Sequence, residues 1–165
     1  MDTMEAGSSS QFLTFTLDQE RYAVEIAKVR EVLEFTSVNR VPRTPEFMRG
    51  MINLRGSVVP VIDLSARFGR GPSAVARRTC VVILEVSKDG VTQTLGVMVD
   101  AVNEVMEIPA EDIEPAPAFG TRIRTDFIAG MGRVNGRFVI ILDVAHVFSL
   151  DELASLGRLA GSAVA

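Results

Sequence analysis

The feature that most constrains this chain is a stretch that occurs twice, 80 positions apart. Phe47, Gly50, Met51, Gly56, Val59, Asp63 and Phe68 recur as Phe127, Gly130, Met131, Gly136, Val139, Asp143 and Phe148. Repetition at a fixed period points to two related structural units. In each copy, apolar runs rich in β-branched residues flank a short polar turn, which reads as a hairpin. The second turn is Asn135-Gly136, a strong hairpin signal. The first is Asn53-Leu54-Arg55-Gly56, where glycine suits a backbone with positive φ. Arg55 has no copy, because Asn135 stands in its place. Pro60, inside the first copy, donates no ladder hydrogen bond and is expected on an edge strand or at a bulge.

A second likeness runs with an offset of 73. Val24, Val29, Glu31, Val32 and Glu34 recur as Val97, Val102, Glu104, Val105 and Glu107. The expected elements follow the same doubling. Residues 11–17 alternate, with Leu13, Phe15 and Leu17 on one face, as a half-buried strand does. Strands are expected at 22–26 and 29–35, with Ala27-Lys28 turning between them. A helix over 26–33 competes, since Ile26, Val29, Val32 and Leu33 also fit a helical face. Thr44-Pro45-Glu46 reads as a helix start running through Met48. A short helix is expected over 64–68, capped by Asp63, and another over 144–148, capped by Asp143. Residues 69–76, with Gly71-Pro72-Ser73, read as a flexible joint. Strands follow at 78–86 and 91–99, the first apolar on both faces and so central. Residues 109–117 read as a loop, and 150–159 as a short amphipathic helix.

Each half is therefore strand, strand, strand, turn, hairpin, short helix. Five short strands with tight turns suggest a small barrel, which limits open edges. About 70 residues bury little surface alone, so the two barrels are expected to share a hydrophobic seam. Residues 1–10 read as a disordered leader, 11–157 as the folded domain with its joint near 69–77, and 158–165 as a frayed tail.

Composition narrows the function. A net charge of −4 disfavours a general nucleic-acid binder, which is normally basic. The acidic start shows no secretory signal, and no apolar run approaches the ~20 residues that span a bilayer. Cys80 is the single cysteine, so no intrachain disulfide forms. His146 is the single histidine, which rules out a multi-histidine metal centre. No residue set suggests a cofactor. Asp63 and Asp143 raise the possibility of a two-carboxylate hydrolase. However, the bulky Leu64 and Val144 follow them, and helix capping is the simpler role. Cys80 opens an apolar strand and reads as a small buried or interface hydrophobe. Arg55 reads either as a solvated hairpin residue or as a docking group pairing with a carboxylate, on a partner or on Glu31. Val29, Val102 and Val105 read as core, or as the walls of a groove between the barrels.

Asn53-Leu54-Arg55-Gly56 followed by Val59-Pro60-Val61-Ile62-Asp63-Leu64 resembles the signature of the CheW family of chemotaxis coupling proteins. The order of the other segments is similar too: Phe12-Leu13-Thr14-Phe15, Tyr22-Ala23-Val24-Glu25-Ile26, Val29-Arg30-Glu31-Val32, Gly96-Val97-Met98-Val99-Asp100 and Ile113-Glu114-Pro115-Ala116-Pro117. The resemblance spans about residues 11–157. It implies a mainly β fold of two five-stranded Src-homology-3-like barrels with a shared core. It implies a scaffold without catalysis, which couples the cytoplasmic helical tip of a chemoreceptor to the regulatory domain of the histidine kinase CheA. Such proteins are cytoplasmic and sit at receptor arrays on the inner face of the membrane. Carried over by position, the receptor groove would be walled by Val29, Glu31, Gly50, Arg55, Cys80, Gly96, Val102 and Val105. The same fold also serves related motility, pilus and biofilm pathways. With no receiver or kinase domain in view, the resemblance implies a stand-alone adaptor.

Overall fold

The computed structural model describes residues 9–36, 38–39, 42–88, 90–116 and 125–147. Eleven strands occur among them: β1 Ser9–Leu17, β2 Glu20–Glu25, β3 Val29–Glu34, β4 Met48–Leu54, β5 Ser57–Asp63, β6 Cys80–Lys88, β7 Val91–Val99, β8 Ala101–Pro109, β9 Ile113–Glu114, β10 Ile128–Val134 and β11 Arg137–Leu142. Two short helices follow the hairpins, α1 Leu64–Arg67 and α2 Val144–Val147. Residues 26–28 form a single tight helical turn, so 29–34 is a strand and the competing helix is not formed.

The strands make two sheets, one in the order β8-β1-β2-β11-β10-β9 and one in the order β3-β6-β7-β5-β4. Each sheet mixes the two halves. The β1–β2 hairpin of the first half lies between β8 and β11 of the second. The β6–β7 hairpin of the second half lies between β3 and β5 of the first. The sequence repeats, having exchanged hairpins, are thus not themselves the sheets. Both exchanged hairpins join their neighbour through a parallel ladder, β2 to β11 and β7 to β5.

This exchange explains why the central strands are apolar on both faces. Along β6, Val82, Leu84 and Val86 enter a core shared by both sheets, with Leu13, Phe15 and Tyr22 of β1 and β2. Val81 and Ile83 turn the other way, into a cluster with Val61 and Met98 inside their own sheet. The larger sheet has its own inner cluster of Phe12, Ala23, Ile108, Val139 and Ile141. The expected seam is the first of these cores. A file of aromatic rings crosses it, Phe15 to Tyr22 to Phe68 to Phe127, with centroids 5.6–6.0 Å apart. Such spacing favours stacked or tilted pairs. Arg67 lies over both repeat-related rings, 4.8 Å from Phe47 and 5.4 Å from Phe127. Its Nε donates to the carbonyl of Val147, its own counterpart in the repeat, at 2.7 Å.

Several local expectations change. Thr44 to Met48 makes a turn, not a helix, with Met48 N donating to Pro45 O before β4 begins. Pro60 sits in β5, an interior strand. It is tolerated there because the parallel ladder to β7 starts only at Val61, leaving β5 paired with β4 alone at Pro60. β1 is buried on both faces, since Thr14 is also fully covered. Its hydroxyl donates to Glu104 O at 2.7 Å and accepts from Glu104 N, filling the bulge between β1 and β8. Residues 109–117 are not all loop: a helical turn leads into β9, where Glu114 pairs with Arg133. β1 opens at Ser9. The helix expected over 150–159 lies outside the described residues, as do residues 1–8 and the tail.

Candidate docking site

Among the described residues, neither sheet closes its ladder. The smaller sheet comes nearest, because its two edges, β3 and β4, curl toward each other. An isolated bridge joins Asn39 to Met51. Beyond it, Arg55 on the β4–β5 turn reaches Glu31 on β3. Nη2 donates to Oε1 at 3.0 Å, and Nη1 donates to Oε2. A guanidinium and a carboxylate joined by two parallel bonds fix orientation as well as charge. The hydrogen bonds from Arg55 hold the Glu31 carboxyl below its ordinary range, and Glu31 in turn raises Arg55. The Arg55 side chain stays 72% exposed, so its remaining N–H groups face outward.

The backbone marks Arg55 as unusual. Arg55 and Gly56 have φ of 52° and 87°, and Asn135 and Gly136 have 51° and 78°. Both turns therefore need a left-handed residue at the first position, which asparagine tolerates and arginine does not favour. An arginine held there costs about 1 kcal/mol of backbone strain. The bridge to Glu31 is what the asparagine of the other half cannot make.

The other expected wall residues divide into groups. Val29 on β3 and its repeat partner Val102 on β8 are both half-buried against the shared core, as is Cys80. They lie along the seam, and β3 and β8 are each the outer strand of a sheet. Val105 is 49% exposed, further along β8. Gly50 and Gly96 are buried. A Cβ on Gly50 would lie 2.7 Å from Asn39 O, and one on Gly96 would lie 2.7 Å from Val81 Cγ1. The chain itself fills the space these glycines leave, so their role here is close packing.

Asp63 and Asp143 hold separate networks. Asp63 is 1% exposed. It accepts from Ala66 N at 3.3 Å at the start of α1, and from Ser73 N and Ser73 Oγ at 2.8 Å each. Arg49 Nη1 lies 3.5 Å away and also donates to Ser73 O. The joint at 69–76 is therefore tethered, not free. Arg70 adds a second tie, from the joint to Glu20 on β2, at 2.8 Å. Nothing local in Gly71-Pro72-Ser73 signals these anchors, which form only when β5 and the joint meet. Asp143 is more exposed and accepts from His146 N at 3.2 Å, with His146 Nδ1 at 2.8 Å. The two aspartates share no described partner.

The comparisons agree with this geometry. Residues 11–152 match the family model of the CheW-like domain. The chain is 35% identical over 152 residues to a chemotaxis protein CheW of Klebsiella aerogenes, covering 92% of this chain and 89% of that protein. It is 33% identical over 118 residues to the protein FrzA of Myxococcus xanthus, covering 70% of each. Among solved structures it is similar to the scaffolding protein TtCheW of Thermoanaerobacter tengcongensis, with a TM-score of 0.78 and 36% identity, over 88% of this chain and 96% of that one.

Proposed function

The chain belongs to the CheW-like family, and from that premise we propose that it is a non-catalytic adaptor coupling the helical cytoplasmic tip of a chemoreceptor to the histidine kinase CheA. The observation that carries the reading is the paired placement of Val29 and Val102. These repeat-related residues, on two different sheets, both rest half-buried on the one core the sheets share. Each lies on an outer strand, so the seam offers apolar anchors on two walls. A helix laid in a groove gains from such anchors, while a charged pair sets its register. Glu31 and Arg55 supply that pair, with outward donors to spare.

On this reading Glu31, Arg55, Val29, Val102 and Val105 face the receptor helix, with Cys80 at the seam. Gly50 and Gly96 shape the wall from within. The protein works in the cytoplasm, at receptor arrays. The alternative within the same reading is an adaptor of a related motility, pilus or biofilm pathway.

The test uses Arg55→Asn, which copies the turn of the second half. The hairpin keeps a favourable left-handed residue, so the thermal melt by circular dichroism stays within a few degrees of the parent. Co-sedimentation with receptor-bearing membranes and kinase should fall several-fold, as expected for loss of a charged register element. Undiminished recovery of a folded variant refutes the role of Arg55.

A further inference from the structure

We propose that Arg67 is a positioning residue: it pins the angle between the two sheets, and through that angle the width of the seam groove. The repeat shows why one residue serves both halves. In each half a phenylalanine is tied to the aspartate at the end of its hairpin. Asp63 N donates to Phe47 O at 2.7 Å, and Asp143 N donates to Phe127 O at 2.8 Å. Phe47 thus moves with β5 of the smaller sheet, and Phe127 with β11 of the larger. Arg67 ends α1 on the first of these bodies and rests over both rings. Its Nε donates to Val147 O at the end of α2, on the second body. Val147 holds the matching place in the repeat and, being valine, has no side-chain donor to return.

Arginine is a costly filler here. An apolar side chain would occupy the space between two phenylalanines without desolvating a charge. What arginine adds is direction: the guanidinium offers its faces to the rings and its edge to the carbonyl. Val147 is fully buried, where a hydrogen bond is stronger than at the surface. The apolar contacts of the shared core draw the sheets together but are non-directional. A hydrogen bond with a preferred angle resists rotation of one sheet on the other. Val29 stands on β3 and Val102 on β8, one in each sheet, so such a rotation changes the gap between them. The consequence for the groove rests on the adaptor function proposed above, whereas the pinning of the angle does not.

The test is measurement of amide residual dipolar couplings on the ¹⁵N-labelled full chain in a dilute aligning medium. In the parent, one alignment tensor should fit the amides of both sheets. Arg67→Met keeps an unbranched apolar chain and loses the charge and the donor. Each sheet of this variant should still fit its own geometry, but one tensor should no longer fit both. Arg67→Lys, which returns a cation and a donor, should restore the common tensor. A common tensor with unchanged orientation in Arg67→Met overturns the proposal. Collapse of its amide dispersion also overturns it, since Arg67 would then be part of what keeps the core folded. A helical receptor-tip fragment is next titrated into the same samples. Its affinity should fall about 2- to 10-fold in Arg67→Met and recover in Arg67→Lys. Couplings that change while affinity holds refute the link to the groove. A parent chain that binds no fragment refutes the adaptor function, and the couplings still decide the role of Arg67.

Discussion

Asp63→Ala and Asp143→Ala remove the same position from the two repeats, yet the structure predicts unequal costs. At Asp143 the loss is a part-exposed cap contact to His146 N. Such a cap is worth about 0.5–1 kcal/mol, the lower part of the usual range. At Asp63 the carboxylate is buried and accepts from Ala66 N and from both donors of Ser73, with Arg49 beside it. Hydrogen bonds to a charged group contribute about 1.5–3 kcal/mol each. Removing one member of a buried charged cluster costs about 3–5 kcal/mol. These terms overlap and do not add. The expected loss is about 3–5 kcal/mol for Asp63→Ala, at least about 2 kcal/mol more than for Asp143→Ala. Urea unfolding followed by circular dichroism measures both, and an unchanged slope shows that the states compared are the same. Asp63→Asn keeps the shape and a single acceptor oxygen, and should fall between them. Equal losses at the two aspartates would refute the reasoning, since they would make Asp63 a simple cap.

Two further predictions concern the core. Gly96→Ala places a methyl 2.7 Å from the stiff side chain of Val81, and should cost about 1–3 kcal/mol with a lowered urea midpoint. An unchanged midpoint with weakened partner binding would instead put Gly96 on the docking wall. Burial pushes the Tyr22 hydroxyl up to about 12, with its bond to Glu20 adding to the effect. Folding thus favours the neutral phenol, so stability present below pH 10 declines as pH rises toward 12. Phenolate absorbance appearing near pH 10 in the folded protein would contradict this.

Much of the fold was legible because it rests on local pattern. The doubled stretch located both hairpins, and alternation placed Leu13, Phe15 and Leu17 on the shared core. Alternation also marked β6 as covered on both sides. What local pattern does not carry is which strand pairs with which. The hairpin exchange depends on contacts between residues far apart along the chain, as when Thr14 meets Glu104, 90 positions on. The helix signal at Thr44-Pro45-Glu46 yielded to an early start of β4 at Met48. At the candidate docking site, the absence of an arginine in the second half singled out Arg55. Its pairing with Glu31 required the curl that brings β3 and the β4–β5 turn together. Gly50 and Gly96 carry no sign in sequence of the atoms that crowd them.

The most direct measurement is amide NMR of the labelled chain with a helical fragment of a receptor tip. The account predicts saturable shifts centred on Val29, Glu31, Val102 and Val105, and their loss in Arg55→Asn. Binding that leaves these residues unmoved, or that shifts only the Arg137 and Phe138 region, would contradict it.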